Sequence, residues 1–228
     1  MRAAPALAAL LLLAGPAPAQ EAAPPDPAEL SRKADAVLPG LEAPACAIGE
    51  KECAAGLLRA ARDLDQAVRR GFMGCMRTAP AEAESCRKAV GDVLDRTDAA
   101  ATGLLKRVLA AHGWPGGPGW DGDARSTAWL LAQHADRDRP FQRQALDLLR
   151  KAADEGRAKP SHYAYLHDRL AGADQGPQRY GTQGTCRDGA WAPDPLEDPA
   201  RVDELRASVG LKPLAAYAAK LSGRCPPR

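Results

Sequence analysis

Two long amphipathic segments, separated by a short break, constrain the fold of this chain more than any other feature. Apolar side chains recur at helical spacing from about residue 50 to 77, and a second stripe runs from about 81 to 111. The break between them contains Pro80. Because residues three and four apart share one face of a helix, we expect two antiparallel helices that bury these stripes against each other.

Shorter helices are predicted along the rest of the chain. Asp26 and Asp138 are typical helix caps, and Pro39 marks a loop after the first helix. Alanine and leucine dominate over β-branched residues, which favours helix over sheet. These helices are expected near 27–38, 123–136, 139–155, 160–170, 199–209 and 213–222.

One short β-hairpin is predicted near residues 178–192. The segment 178–183 has the character of an extended chain, and Asp188-Gly189 indicates a turn that returns through Trp191. The predicted fold class is therefore mainly α, a helical bundle with one short β-hairpin.

Residues 1–19 have the composition of a secretory signal peptide. Arg2 supplies the positive start, residues 6–13 form a short apolar segment, and an Ala-Pro-Ala sequence ends at Ala19. We expect cleavage after Ala19 and a periplasmic or secreted mature protein. The apolar segment is too short to span a bilayer, so no membrane insertion is expected after cleavage.

The mature chain is predicted to form one domain. The whole sequence has 228 residues, and the mature part is short enough for a single hydrophobic core. No long linker or internal repeat divides it. Residues 20–49 are predicted to be a leader with a short helix and a loop, and residues 50–228 a single helical domain.

The six cysteines of an exported chain predict disulfides rather than a metal cluster. Cys75 and Cys86 flank the break between the two long helices, so an antiparallel hairpin would bring them together. Cys53 lies far from that turn, and Cys46 is its nearest mate. A thiol redox centre is the alternative, although no Cys-x-x-Cys motif is present. The predicted pairs are Cys46–Cys53, Cys75–Cys86 and Cys186–Cys225.

Charge and motifs argue against several function classes. The formal charge of +2 and the aromatic content of 4%, with basic residues spread along the chain, disfavour a nucleic-acid surface. No P-loop, Gly-x-Ser-x-Gly, His-Glu-x-x-His or Cys/His ligand spacing occurs, so no metal and no cofactor are predicted. The expected partner is an unknown small molecule or peptide.

The stretch from Trp129 to Asp136 carries polar side chains towards a predicted interior. Leu130 and its apolar neighbours require burial, so Gln133 and His134 are carried inward with them. An unpaired polar group in an apolar setting costs about 1–3 kcal/mol. We therefore expect distant segments to supply partners for this amide and this imidazole.

Several motifs occur in a recognisable order. They are Asp65-Gln66-Ala67-Val68-Arg69, His112-Gly113-Trp114-Pro115, the stretch 128–136 with Gln133 and His134, Tyr165-Leu166-His167-Asp168-Arg169, Pro177-Gln178-Arg179-Tyr180-Gly181-Thr182-Gln183 and Leu211-Lys212-Pro213-Leu214. Over roughly residues 57–222, the chain resembles a bacterial family known as domain of unknown function 6624.

The resemblance implies a mainly helical domain, in a family with no established activity. The chain departs from the family pattern at Ala101, where an asparagine is usual, so any role of that asparagine is lost here. The cysteines look like local additions, which favours structural disulfides over catalysis. The site residues to which the family pattern points are Asp65, Gln66, Arg69, Gln133, His134, Asp168, Arg169, Gln178, Tyr180 and Gln183.

His134 is the predicted catalytic residue, with Asp168 as its partner. Asp168 could hold one ring nitrogen and leave the other facing a pocket, as a general acid or base requires. A lone histidine on an apolar helix is more often a satisfied core residue. Asp65 and Arg69, one helical turn apart, could form a structural ion pair or serve a site, and Asp168 with Arg169 could simply lock helices together.

The predicted substrate-binding residues are mainly amides and cations. Arg69 or Arg169 would hold an anion, and Gln133, Gln178 and Tyr180 would position the substrate. Gln178 and Tyr180 share one face of an extended segment, with Gln183 on the other face. The alternative is that these residues pin a loop to the helices.

Two functions from different classes remain open at this point. The first is a small hydrolase-like or lyase-like enzyme of the cell envelope, with His134 as general base or acid. The second is a non-catalytic periplasmic binding or interaction module, in which the same polar groups form a rigid hydrogen-bond network.

Overall fold

The computed structural model describes residues 26–225, which form eight helices and one two-stranded antiparallel sheet. The predicted signal peptide at 1–19 and the leader segment at 20–25 lie outside these residues. The prediction of a mainly α fold with one short hairpin is confirmed. The elements are α1 (Pro27–Glu42), α2 (Lys51–Cys75), α3 (Pro80–His112), α4 (Gly122–His134), α5 (Arg139–Asp154), α6 (Pro160–Ala173), β1 (Gly184–Arg187), β2 (Ala190–Pro193), α7 (Val202–Ser208) and α8 (Leu214–Ser222).

Helices α1, α2 and α3 pack together to form the largest part of the core. The short connection at 76–79 joins α2 to α3, and the two helices pack along each other as an antiparallel hairpin. Leu58 and Leu64 of α2 and Leu104 and Leu105 of α3 are shielded from solvent. Burial of each such side chain contributes about 1.5–3 kcal/mol. Helix α1 packs against both members of the hairpin.

The prediction of a loop at Pro39 is wrong, because α1 continues through this residue to Glu42. A proline inside a helix removes one backbone hydrogen bond. Leu38 and Leu41 on either side of it are nevertheless buried in the core, and the Arg107 side chain donates a hydrogen bond to the Leu41 carbonyl. The burial of Leu41 outweighs the local cost of the proline.

Helix α4 places His134 next to α2. Its cap is Asp121, whose carboxylate accepts a hydrogen bond from the Ala124 N–H group at 2.6 Å, as the residue type at this position favours. The helix packs against both α2 and α3 and ends at His134. The imidazole therefore stands at the C-terminus of α4, where two other helices are within reach.

The hairpin is shorter than predicted and begins later. Asp188 and Gly189 form its two-residue turn, with φ values of 51° and 80°, and this pair of left-handed residues is what the tightest hairpins require. Residues 178–183 precede the strands and are not part of them. Several of their backbone N–H groups bind a carboxylate of α6 instead, and Gln178 forms an isolated parallel bridge with Leu196.

All six cysteines form disulfides, in the three predicted pairs. The first bond ties the loop after α1 to the start of α2, the second closes the α2–α3 hairpin, and the third joins β1 to the segment after α8. They are Cys46–Cys53, Cys75–Cys86 and Cys186–Cys225. None of the helices within residues 26–225 is long and apolar enough to cross a membrane.

Candidate functional site

Asp65 is the buried anion at the centre of the candidate site. The residue is completely shielded from solvent on α2 and accepts hydrogen bonds from Gln66 Nε2 at 2.8 Å and from Arg69 Nε at 2.9 Å. Burial by itself raises the pKa of Asp65. The hydrogen bond with His134 and the charges of His134 and Arg69 outweigh burial and hold the pKa of Asp65 below its ordinary value.

His134 contributes the third hydrogen bond to this carboxylate. Its Nδ1 lies 2.8 Å from Oδ1 of Asp65, and because the carboxylate is ionised, Nδ1 carries the proton and donates it. Nε2 makes no hydrogen bond with any residue from 26 to 225, and the side chain keeps 17% of its exposure. One ring nitrogen is thus fixed in place while the other is accessible.

Arg69 connects this pair to a second carboxylate, Asp98 on α3. Nη2 of Arg69 donates to Oδ1 of Asp98 at 2.6 Å, while its Nε binds Asp65. Burial raises the pKa of Asp98 to about 6 although Arg69 opposes this shift, and the charge of Asp65 adds to it. Asp98 therefore titrates in the range in which carboxyl groups serve as general acids or bases near neutral pH.

His134 lies in the wall between two cavities and is the one residue that lines both of them. The larger is an open cleft of about 1160 Å³ between α1, α2 and α4, and Gln66 and Arg69 contribute to its surface. The smaller has a volume of about 280 Å³ and is lined by Asp98 and Lys106 of α3. The accessible imidazole and the carboxyl group of raised pKa therefore adjoin spaces that a ligand can enter.

The predicted pairing of His134 with Asp168 is wrong. Asp168 is completely buried on α6, and its carboxylate accepts hydrogen bonds from the loop that follows this helix. The donors from this loop, at 2.9–3.1 Å, are the N–H groups of Arg179, Tyr180 and Thr182 and the hydroxyl of Thr182, and His167 Nδ1 lies 3.3 Å from Asp168 Oδ1. Asp168 thus fixes the 178–183 loop to α6, and Asp65 is the residue that holds His134.

Gln178, Tyr180 and Gln183 contribute to this loop anchor and line neither cavity. The Gln178 amide donates to the carbonyls of Gln183 and Asp194, and it accepts from the Gln183 N–H group. Tyr180 is buried, with its ring edge-on to Tyr163. These contacts fit the alternative interpretation, in which the three residues pin a loop to the helices.

Arg169 and Gln133 are likewise outside the two linings. Arg169 forms an ion pair with Asp136 through two of its nitrogens, which ties α6 to the segment after α4. Gln133 is buried, and its Nε2 has no hydrogen-bond partner in the part of the chain that the structure describes. Of the ten site residues that the motifs indicate, three line the larger cleft, Gln66, Arg69 and His134, and the buried Asp65 forms hydrogen bonds with all three.

Sequence reasoning missed Asp98, although the sequence contained a signal. Asp98 is four residues after Leu94 and seven before Leu105, so it falls within the apolar stripe of α3. A carboxylate in such a stripe requires a cation or a proton. The choice of Arg69 as that cation depends on how α2 and α3 are aligned, and the sequence does not specify this alignment.

The arrangement suits proton transfer. A carboxylate orients and stabilises an imidazole whose second nitrogen adjoins a cleft, and Arg69 links it to another carboxyl group that retains its proton to higher pH than usual. Among residues 26–225, no three His, Cys, Asp or Glu side chains are grouped so as to hold a metal ion.

The fold and the site define a disulfide-linked helical domain with a histidine–aspartate pair beside a cleft. The model of a family of unknown function (DUF6624) matches residues 55–224, so the chain belongs to this family, as its motifs indicate. No curated protein and no solved structure matches the chain.

Proposed function

We propose that this protein is a small exported enzyme with hydrolase-like or lyase-like chemistry and that His134 is its general base or acid. The observation that carries the proposal is the 2.8 Å contact between His134 Nδ1 and Asp65 Oδ1, which leaves Nε2 available at the cleft. A base needs this combination of a fixed ring and a free nitrogen.

In this proposal, Asp65 and Asp98 have different tasks because their environments differ. Asp65, with a lowered pKa, stays ionised and stabilises the imidazolium that forms when His134 accepts a proton. Asp98, whose pKa is raised to about 6, can hold or release a proton at the boundary with the smaller cavity. Arg69 donates to the two carboxylates through Nε and Nη2, so it positions them relative to each other.

The proposed export of the protein is supported by its disulfides. Three disulfide bonds in one chain are typical of oxidising compartments outside the cytosol. The composition of residues 1–19 indicates the same destination.

The second candidate is a binding module without catalysis. Its support is the completeness of the polar network, in which both oxygens of Asp65 and two nitrogens of Arg69 are bonded within the protein. Such a network can act as a rigid strut between α2, α3 and α4, and the cleft would then hold a ligand without changing it.

The test is a comparison of the mature wild-type protein with the variant His134→Asn. The asparagine amide can replace Nδ1 as donor to Asp65, whereas nothing replaces Nε2. Both proteins are incubated with a cell-envelope extract, and the compounds consumed or formed are followed by mass spectrometry.

The proposal expects matched loss of a substrate and gain of a product with the wild-type protein alone, at equal thermal stability. Compounds that are retained unchanged by both proteins would favour the binding module. Turnover by the His134→Asn variant at the wild-type rate would contradict the role of His134.

A further inference from the structure

The larger cleft has an elongated floor formed by one face of α2. Its lining residues Gln66, Arg70 and Met73 follow each other at spacings of four and three, so they lie in a row along the helix, and Arg77 lines the cleft from the turn that follows α2. At a rise of 1.5 Å per residue, the row from Gln66 to Met73 is about 10 Å long. Gln66, next to Asp65, marks the end of the row at which His134 lies.

The walls of the cleft carry more positive than negative charge. Four cations and two acidic side chains line it. The Arg69 side chain is occupied by Asp65 and Asp98, whereas the side chains of Lys33, Arg70 and Arg77 form no hydrogen bond and no ion pair with any residue in the range 26–225. Arginines elsewhere on α2 are paired: Arg59 binds Asp121 and Arg62 binds Asp63 and Asp123.

The remaining lining residues limit what kind of anion fits. Glu29 and Glu82 stand among the cations, and Leu30, Met73 and Leu130 add apolar surface. A densely charged polyphosphate or nucleic acid would be repelled by the two glutamates and would leave the apolar surface uncovered. Carboxylates spaced along a chain with apolar segments between them complement both features.

We propose that the cleft binds an extended peptide with acidic side chains, one end of which reaches His134. An extended chain advances about 3.3 Å per residue, so the row on α2 accommodates about three residues, and Arg77 lies in the turn beyond them. Side chains on the same side of such a chain recur about every 6.6 Å, within the range over which Arg70 and Arg77 can adjust their long stems. Binding of the peptide does not depend on the proposed function. Only its role as the substrate rests on that proposal.

The experiment measures binding apart from chemistry. All proteins carry His134→Asn, so that no turnover occurs, and the probe is the fluorescent peptide Ala-Glu-Ala-Glu-Ala-Glu, followed by anisotropy. The matched probe has glutamine in place of each glutamate. The double variant Arg70→Gln/Arg77→Gln is compared with Arg150→Gln, which removes a positive charge from the exposed surface of α5, outside the cleft.

We expect the glutamate peptide to bind about tenfold more tightly than the glutamine peptide, and the double variant to lose about the same factor. Raised salt should weaken this binding, and Arg150→Gln should leave it close to that of the host protein. Equal affinity for the two peptides, no binding at millimolar peptide, or equal effects of the cleft and control variants would overturn the inference.

Tripolyphosphate serves as the competitor that separates a peptide site from a general anion site. Tighter binding of tripolyphosphate than of the peptide would also overturn the inference. In a separate measurement, the glutamate peptide is incubated with the wild-type protein, which retains His134, and mass spectrometry follows the formation of a product. Binding without a new product would leave the peptide site standing and count against the proposed enzyme.

Discussion

His134 Nδ1 and Asp65 Oδ1 are 2.8 Å apart although the two residues are separated by 69 positions in the sequence. The bond links the C-terminus of α4 to the middle of α2. It is formed by a completely buried carboxylate that also holds Arg69. This single acceptor therefore decides both the orientation of the imidazole and the position of the arginine.

The first prediction concerns the loss of the Asp65 charge. Asp65→Asn leaves Arg69 and His134 without their shared anion, and the disruption of a buried ion pair costs about 3–5 kcal/mol. Unfolding in denaturant should show a loss of that order. Asp63→Asn, two residues away on an exposed part of α2, is the matched control and should cost less than about 1 kcal/mol. Equal losses in the two variants would refute the central role of Asp65.

The second prediction concerns Asp98 and pH. The folded protein holds the Asp98 proton up to a pKa of about 6, whereas the ordinary value is 3.8. Native stability therefore falls as pH rises through this window, and the contribution is lost above it. Asp98→Asn should be about 2–3 kcal/mol more stable than wild type at pH 8 and similar to it at pH 4.

Denaturant unfolding at both pH values measures this difference. Asp92→Asn on the same helix, where the carboxylate is exposed and paired with Lys88, should change little between them. An Asp98→Asn variant that is less stable than wild type at pH 8 would contradict the prediction, because it would show that the ionised carboxylate stabilises the folded protein.

The third prediction tests the structural role of Asp168. Asp168→Ala removes the acceptor of three backbone N–H groups and should destabilise the protein by about 3 kcal/mol or more, because these donors become unpaired. Hydrogen exchange at residues 179–182 should accelerate more than exchange in α2. Asp174→Ala, which breaks an exposed ion pair with Arg143, should leave that loop protected. Wild-type protection of residues 179–182 in the Asp168 variant would contradict the anchor.

The fourth prediction concerns His162, whose ring stacks on Trp129 with centroids 4.2 Å apart. Burial lowers the pKa of His162 to about 4, with help from the charges of Lys159 and Arg125. Between pH 6.5 and pH 4 the ring is protonated in the unfolded chain but remains neutral in the folded protein. The free energy of unfolding therefore decreases as pH falls through this range.

His162→Phe keeps an aromatic ring against Trp129 and abolishes the titration. The stability of wild type relative to this variant should decrease by about 2–3 kcal/mol between pH 7 and pH 4. Chemical denaturation at several pH values measures the difference between the two proteins, which cancels the opposite contribution of Asp98. A difference that stays constant with pH would contradict the lowered pKa.

Local features of the fold were predictable from the sequence because their causes are local. Asp26 and Asp138 cap helices by accepting hydrogen bonds from N–H groups two or three residues ahead, and this requires no knowledge of tertiary packing. Cys75 and Cys86 could be paired because a hairpin between two helices determines which residues flank its turn.

The partners within the site were harder to predict because they depend on how helices rotate and slide against one another. The motifs indicated both Asp65 and Asp168, but only packing of α4 against α2 decides that His134 meets Asp65. Arg206 was missed for the same reason. It is buried and donates to the carbonyls of Tyr180 and Lys212, and the sequence alone presents it as an ordinary cation of a short helix.

The Cys75–Cys86 bond closes the α2–α3 hairpin beside Arg77, Thr78 and Glu82, which border the cleft. This disulfide prevents the end of α2 and the start of α3 from moving apart. For the proposed peptide, this means that the hairpin cannot open at that end to admit a wider chain. Reduction of the Cys75–Cys86 bond would allow the ends of α2 and α3 to move apart, while every side chain that lines this end of the cleft would remain in the protein.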